Sequence, residues 1–123
     1  MNPSPSVAAL AAVLEAKPGA AGGALPSAPG VTIYKVMGKI FAILATRRDP
    51  YVILKCDPHL AEDLREQYAG VGHRSHLDRR FWISVVLDAD VPQGEIERLA
   101  GHSYELVVAG LSRKQKAALA ASE

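Results

Sequence analysis

Arg74, Arg79 and Arg80 fall within seven positions of one another, with His73 and His76 beside them. A guanidinium is a planar fork that clasps a phosphate through two parallel N–H groups, so this cluster suits anion binding rather than bond-breaking. Lys35, Lys39, Arg47 and Arg48 add charge around two short turns upstream. Asp49 and Asp78 partly offset these cations, and the bland reading of both groups is a solvated, charged turn. His73 and His76 have H-x-x-H spacing, which gathers two imidazoles on a helix but turns them to opposite faces of a strand. No cysteine pair or nearby glutamate completes a metal shell, so no metal site is expected. Cys56 stands just before Asp57-Pro58, at a predicted helix N-terminus where a thiol pKa can fall. It has no identifiable base or resolving cysteine. With no glycine-rich phosphate loop, G-x-S-x-G elbow or H-E-x-x-H pair in the sequence, the expectation is a non-enzymatic protein without a cofactor. Trp82 lies beside the basic cluster and could stack on a base, but its place in an apolar strand points first to burial. Glu62, Asp63 and Glu66, interleaved with Arg65, read as a solvated helix face rather than an iron site.

Composition bounds the rest. At 123 residues, 49% hydrophobic and 22% charged, the chain can bury one core and is too apolar to be disordered. Its formal net charge of +1 argues against tight, non-specific duplex binding and confines any nucleic-acid site to a local patch. One cysteine excludes an internal disulfide, which fits a reducing compartment. The N-terminal segment has no basic stretch followed by an apolar run, and Glu15 and Lys17 interrupt what apolar character there is. No stretch reaches the ~20 apolar residues of a membrane span. A cytoplasmic protein is expected.

The elements that must carry the basic groups follow from pattern. Ser4-Pro5 is a cap-then-proline signal, and Val7, Leu10 and Leu14 predict a helix over 5–16. Residues 17–30, rich in Ala, Gly and Pro, read as an irregular connection. Strands are predicted over 31–36, 40–45 and 51–55, joined by turns at Met37-Gly38-Lys39 and Arg47–Pro50. Asp57-Pro58 opens a helix with Leu60, Leu64 and Tyr68 on one stripe, stopped at Gly70. His73 to Leu87 reads as a hairpin with its turn near Asp78-Arg79-Arg80. Pro92 begins a helix that Gly101 interrupts, Ser103 caps a second, and Ser112-Arg-Lys-Gln115 is a capping box before a terminal helix prone to fray. Strands segregated from helices predict one α+β domain over 1–123, an antiparallel sheet with helices on one face. Its core is expected to draw on Ile33, Phe41, Ile43, Ile53, Leu64, Trp82, Val85, Leu87 and Leu106.

Several segments carry a likeness. Leu54-Lys55-Cys56-Asp57-Pro58 with Ala61–Tyr68, the run His76-Leu77-Asp78-Arg79-Arg80-Phe81-Trp82, His102–Ala109, and Tyr34–Lys39 stand in the order and at the spacings of the MmcQ/YjbR family, which the chain resembles over roughly residues 17–116. The resemblance implies a fold similar to the frataxin-like protein CyaY and a double-wing mode of DNA binding. Arg74-Ser75 replace the family's usual Gly-Tyr, Phe81 its second histidine, Ile83 its asparagine, and Ala20–Gly23 its acidic and aromatic residues. Several polar positions that could read a ligand are therefore apolar or small in this chain.

Together these readings lead to a monomeric protein that binds DNA weakly, mainly through the backbone. Its expected contacts are Arg74, His76, Arg79, Arg80, Lys39, Arg47 and Arg48. The alternative is a protein-interaction module that docks a partner on an exposed sheet or helix face.

Overall fold

The computed structural model of the protein describes residues 5–121, so Ser4, the expected cap of the first helix, lies outside it. Helix α1 spans Pro5–Glu15, and strands β1 (Ala20–Ala24), β2 (Val31–Val36), β3 (Lys39–Ala45) and β4 (Tyr51–Lys55) follow. Helix α2 (Pro58–Gln67) leads to β5 (Val71–Gly72) and β6 (Trp82–Val86), and helices α3 (Gln93–Ala109) and α4 (Arg113–Ala121) end the described chain. All six strands form one antiparallel-paired sheet in the order β1-β2-β3-β4-β6-β5. The fold is α+β.

Local chemistry explains the boundaries. Met37 and Gly38 both take positive φ, 50° and 79°, the pairing a two-residue turn needs to match the twist of β2 and β3. Asp57 accepts hydrogen bonds from the Nα groups of His59 and Leu60 at 3.1 Å, and Pro58 occupies the first turn, where its missing N–H costs nothing. Ser112 Oγ accepts from Gln115 N while Ser112 N donates to Gln115 Oε1, both at 3.1 Å, which closes the predicted capping box.

Every helix faces the same side of the sheet. Val7, Leu10 and Leu14 of α1, Ala61 and Leu64 of α2, Ile96, Leu99, Tyr104 and Val107 of α3, and Leu119 of α4 join one core with Val36, Phe41, Leu44, Val52, Leu54, Ile83 and Val85. Alternation along the strands turns the intervening residues to the other face. Register aligns Ile33 with Ile43, Ile43 with Ile53, Ile53 with Ser84, and Lys55 with Trp82 across it.

Four expectations change. Residues 17–30 are not wholly irregular: Ala20–Ala24 form an edge strand because pairing with β2 supplies hydrogen bonds that Ala and Gly propensity does not. Gly101 does not interrupt α3, and Ser103 caps nothing; it is fully buried, donates to Phe41 O at 2.6 Å and accepts from Lys55 N at 2.8 Å. Helix α2 ends at Tyr68, in extended conformation, rather than at Gly70. In the expected core list, Phe41, Leu64, Val85 and Leu87 lie in the helix-side core, Leu106 is half-buried, and Ile33, Ile43, Ile53 and Trp82 belong to the other face. Periodicity finds a strand's two faces but not which one the helices cover.

A candidate nucleic-acid interface

The predicted hairpin has only a short stem. Val71 pairs with Val85 and Gly72 with Ser84, after which residues 73–81 leave the ladder. The first arm cannot extend further because side chains within the loop bond to its own backbone. His73 Nε2 lies 2.6 Å from Leu77 O, an N–H donor on a carbonyl, and Ser75 Oγ accepts from Leu77 N at 3.2 Å. Asp78 accepts from the backbone N–H of Arg80 and takes its guanidinium in a two-pronged pair at 2.8 and 3.2 Å. Hydrogen bonds from the Arg80 side chain and backbone hold the Asp78 carboxyl down at about 2. The Arg80 guanidinium also lies 5.2 Å from the centre of the Phe81 ring.

The depressed Asp78 pKa has a definite consequence. A carboxylate whose folded pKa is lowered supports the folded loop above its unfolded pKa, ~3.9, and loses that support as the pH falls toward about 2. Side-chain NMR titration of Asp78 should give a midpoint near that lower value, and Arg80→Gln, which keeps only the backbone bond, should raise it toward the ordinary carboxylate range. Equal midpoints in the two proteins would show that the pair does not hold the loop.

Arg65, absent from the predicted set, anchors this loop to α2. One of its terminal nitrogens donates to Arg79 O at 2.7 Å and to Trp82 O at 3.0 Å, while its Nε is buried without a hydrogen-bond partner among the described residues. Burial, then the adjoining Arg79, lowers its pKa from the usual guanidinium value, and it remains a cation. Its only sequence signal is its position directly after the inward-facing Leu64. The cleft between α2 and the loop is lined by Glu62 and Glu66 as well as Arg65, Arg79 and Arg80, so it is not an anion pocket.

The sheet order separates the predicted contacts. Chain direction puts the β2–β3 turn, with Lys39 beside it, and the 73–81 loop at the same end of the sheet. Lys39, Arg79 and Arg80 are all exposed there, and His76 is exposed on the loop. Arg47 and Arg48 occupy the β3–β4 turn at the opposite end, where Arg47 lies against Gly30 and reaches Pro29 O at 3.5 Å. Arg74 folds back over the sheet, its guanidinium 5.0 Å from the centre of the Tyr51 ring. The seven residues thus form no single patch. Two exposed basic turns share one end, and the remainder lies elsewhere.

Cys56 is buried, and its thiol is pushed up to about 11, chiefly by burial and then by Asp57, the reverse of the activation that its position before a helix could give. Among the described residues, no group of three or more metal-ligating side chains gathers, and no helix is long and apolar enough to cross a membrane.

The YjbR family model matches residues 15–106, a span that contains the whole sheet, α2 and both basic turns. The chain belongs to the YjbR family. Within this YjbR-family group, the chain is 37% identical over 78 residues to Uncharacterized protein YjbR of Escherichia coli K12, which covers 63% of this chain and 66% of that one. It is 28% identical over 92 residues to Uncharacterized protein YbdF of Escherichia coli O157:H7, covering 74% and 75%. Among solved structures, Deinococcus radiodurans protein DR2400 superimposes with a TM-score of 0.82 at 27% identity, over 93% of this chain and 87% of that chain. A protein from Pseudomonas syringae, at 21% identity and a TM-score of 0.67 over 77% and 92%, shares the fold.

Proposed function

We propose that this YjbR-family protein is a non-enzymatic, weak nucleic-acid-binding protein whose two basic turns contact phosphates. The observation that carries this reading is their placement at one end of the sheet. The turns are centred between the second and third strands and between the fifth and sixth, so they stand three strand spacings, about 14 Å, apart. That separation is close to the ~12 Å width of a B-DNA major groove, so each turn meets one of its flanking backbones. Arg79 is the stronger contact, because Arg80 is already held by Asp78. A balanced net charge keeps the affinity low, and contacts to phosphate keep it nearly independent of sequence.

Fluorescence anisotropy with a labelled duplex across salt tests this. About three phosphate contacts give a log–log salt slope of about −3, and the double variant Lys39→Ala, Arg79→Ala should lose about two units of it. Lys114→Ala with Lys116→Ala, on α4, should leave the slope unchanged. Equal losses from both pairs would reduce the effect to general charge attraction, and no binding at low salt would reject the reading.

Protein docking is the second reading. It draws on the half-buried apolar row of Ile33 and Ile43 on the sheet face that no helix covers among the described residues.

A further inference from the structure

We propose that the helix-free face of the sheet is a stacking platform for unpaired bases, so that the preferred ligand is single-stranded nucleic acid. The inference rests on the phosphate contacts of the nucleic-acid reading and assigns them to a single strand in place of a duplex groove. Aromatic rings and cations are paired on and beside this face. Arg74 lies over Tyr51, 5.0 Å from the ring centre, at one end of β4. Lys55, at the other end of β4, stands directly across from Trp82. Tyr51 and Trp82 are each only partly buried, although strand alternation keeps both out of the helix-side core. Beside them, on β2 and β3, run the aliphatic side chains of Ile33 and Ile43, while Ile53 and Ser84, which lie between the two rings on β4 and β6, are buried.

Charge selects the occupant. The strand residues that alternate onto this face include Lys35 and Lys55 and no carboxylate, and Arg74 adds a third cation above it. A protein partner that buried the apolar row would have to desolvate these cations or bring matching acids. A single strand supplies both requirements at once, with π faces for Tyr51, Trp82 and the Arg74 plane and a phosphate backbone for the lysines. In a duplex the base faces are already stacked on one another and unavailable to side chains, so a ring platform has little use on paired DNA. Tyr51 and Trp82 are separated by four residues along the β4–β6 pair, about 13 Å, and a strand of several nucleotides is needed to touch both.

Trp82 is the sole tryptophan of the chain, which makes the test direct. The intact protein is titrated at low salt with a dT12 oligonucleotide and with a blunt duplex, following Trp82 emission and the anisotropy of labelled DNA. The expected result is saturable quenching by dT12, tighter binding of dT12 than of duplex, and a roughly 5- to 150-fold loss of dT12 affinity in Tyr51→Leu. Lys55→Gln, which removes a cation and no ring, should weaken dT12 binding and lower its salt slope while quenching persists at saturation. Far-UV circular dichroism of each variant checks that it is folded, and the quenching of the unmodified protein needs no variant at all. Duplex binding that depends on Lys39 and Arg79, with no dT12 quenching, overturns the platform and leaves the phosphate reading intact. Quenching by dT12 that Lys39→Ala, Arg79→Ala leaves unchanged supports the platform and removes the turns from it. Failure of both ligands to bind overturns both proposals, and the face then falls to a protein partner.

Discussion

Ser103→Val should lower the free energy of unfolding by roughly 2–6 kcal/mol. The hydroxyl of Ser103 is fully buried in α3 and bridges two strands, donating to Phe41 O at 2.6 Å and accepting from Lys55 N at 2.8 Å. Phe41 is the extra residue where the β2–β3 register shifts, and Lys55 is the last residue of β4, so neither group is covered by regular ladder pairing on that side. Valine fills the space without a polar atom and leaves a buried acceptor and a buried donor unmet, each at a cost of ~1–3 kcal/mol. Chemical denaturation should show a lower midpoint with an unchanged slope. Ser103→Thr keeps the oxygen and should cost less. If valine and threonine destabilised equally, steric crowding rather than the lost bridge would be the cause.

Arg65→Met should free the 73–81 loop and weaken nucleic-acid binding together. The methionine keeps the apolar stem that packs beside Leu64, but loses the bonds to Arg79 O and Trp82 O. Hydrogen bonds to a charged donor contribute ~1.5–3 kcal/mol each, so roughly 3–6 kcal/mol of support for the loop is removed. Because the loop backbone is tied to the sheet near its two ends, by the short β5–β6 stem and by the bond from Cys56 N to Phe81 O, most of that loss should appear as local opening, read as faster amide exchange over residues 73–81 than in the strands. Arg65→Lys should rescue little, since an ammonium on a flexible stem does not reproduce the planar fork. Loop exchange unchanged in both variants would mean that the loop's own bonds at His73, Ser75 and Asp78 are sufficient to order it.

The sequence carried a good deal of this. Cap-then-proline at Asp57-Pro58, the capping box at Ser112, and the Met37-Gly38 turn were legible because each is satisfied by atoms within a few residues. The motif order that resembles the YjbR family falls within the matched span, residues 15–106, apart from the last three residues of His102–Ala109. What local chemistry could not express was decided by partners distant in the chain. Ala20–Ala24 became a strand because β2 lay beside it, against the preferences of its own residues. Gly101 stayed helical because α3 is packed on the sheet along its length, through Ile96, Leu99, Tyr104 and Val107, and burial outweighs the ~1 kcal/mol that glycine costs. Arg65 and Ser103 found backbone partners 14 to 62 residues away, which no spacing rule anticipates. The sequence by itself determined most of the element types, the α+β class and the presence of basic turns, because periodicity and capping are short-range. Only the tertiary structure decided that Lys39 and Arg79 share an end while Arg47 and Arg48 do not, and that Tyr51 and Trp82 face away from the helices, because sheet order and the choice of buried face are set by long-range pairing.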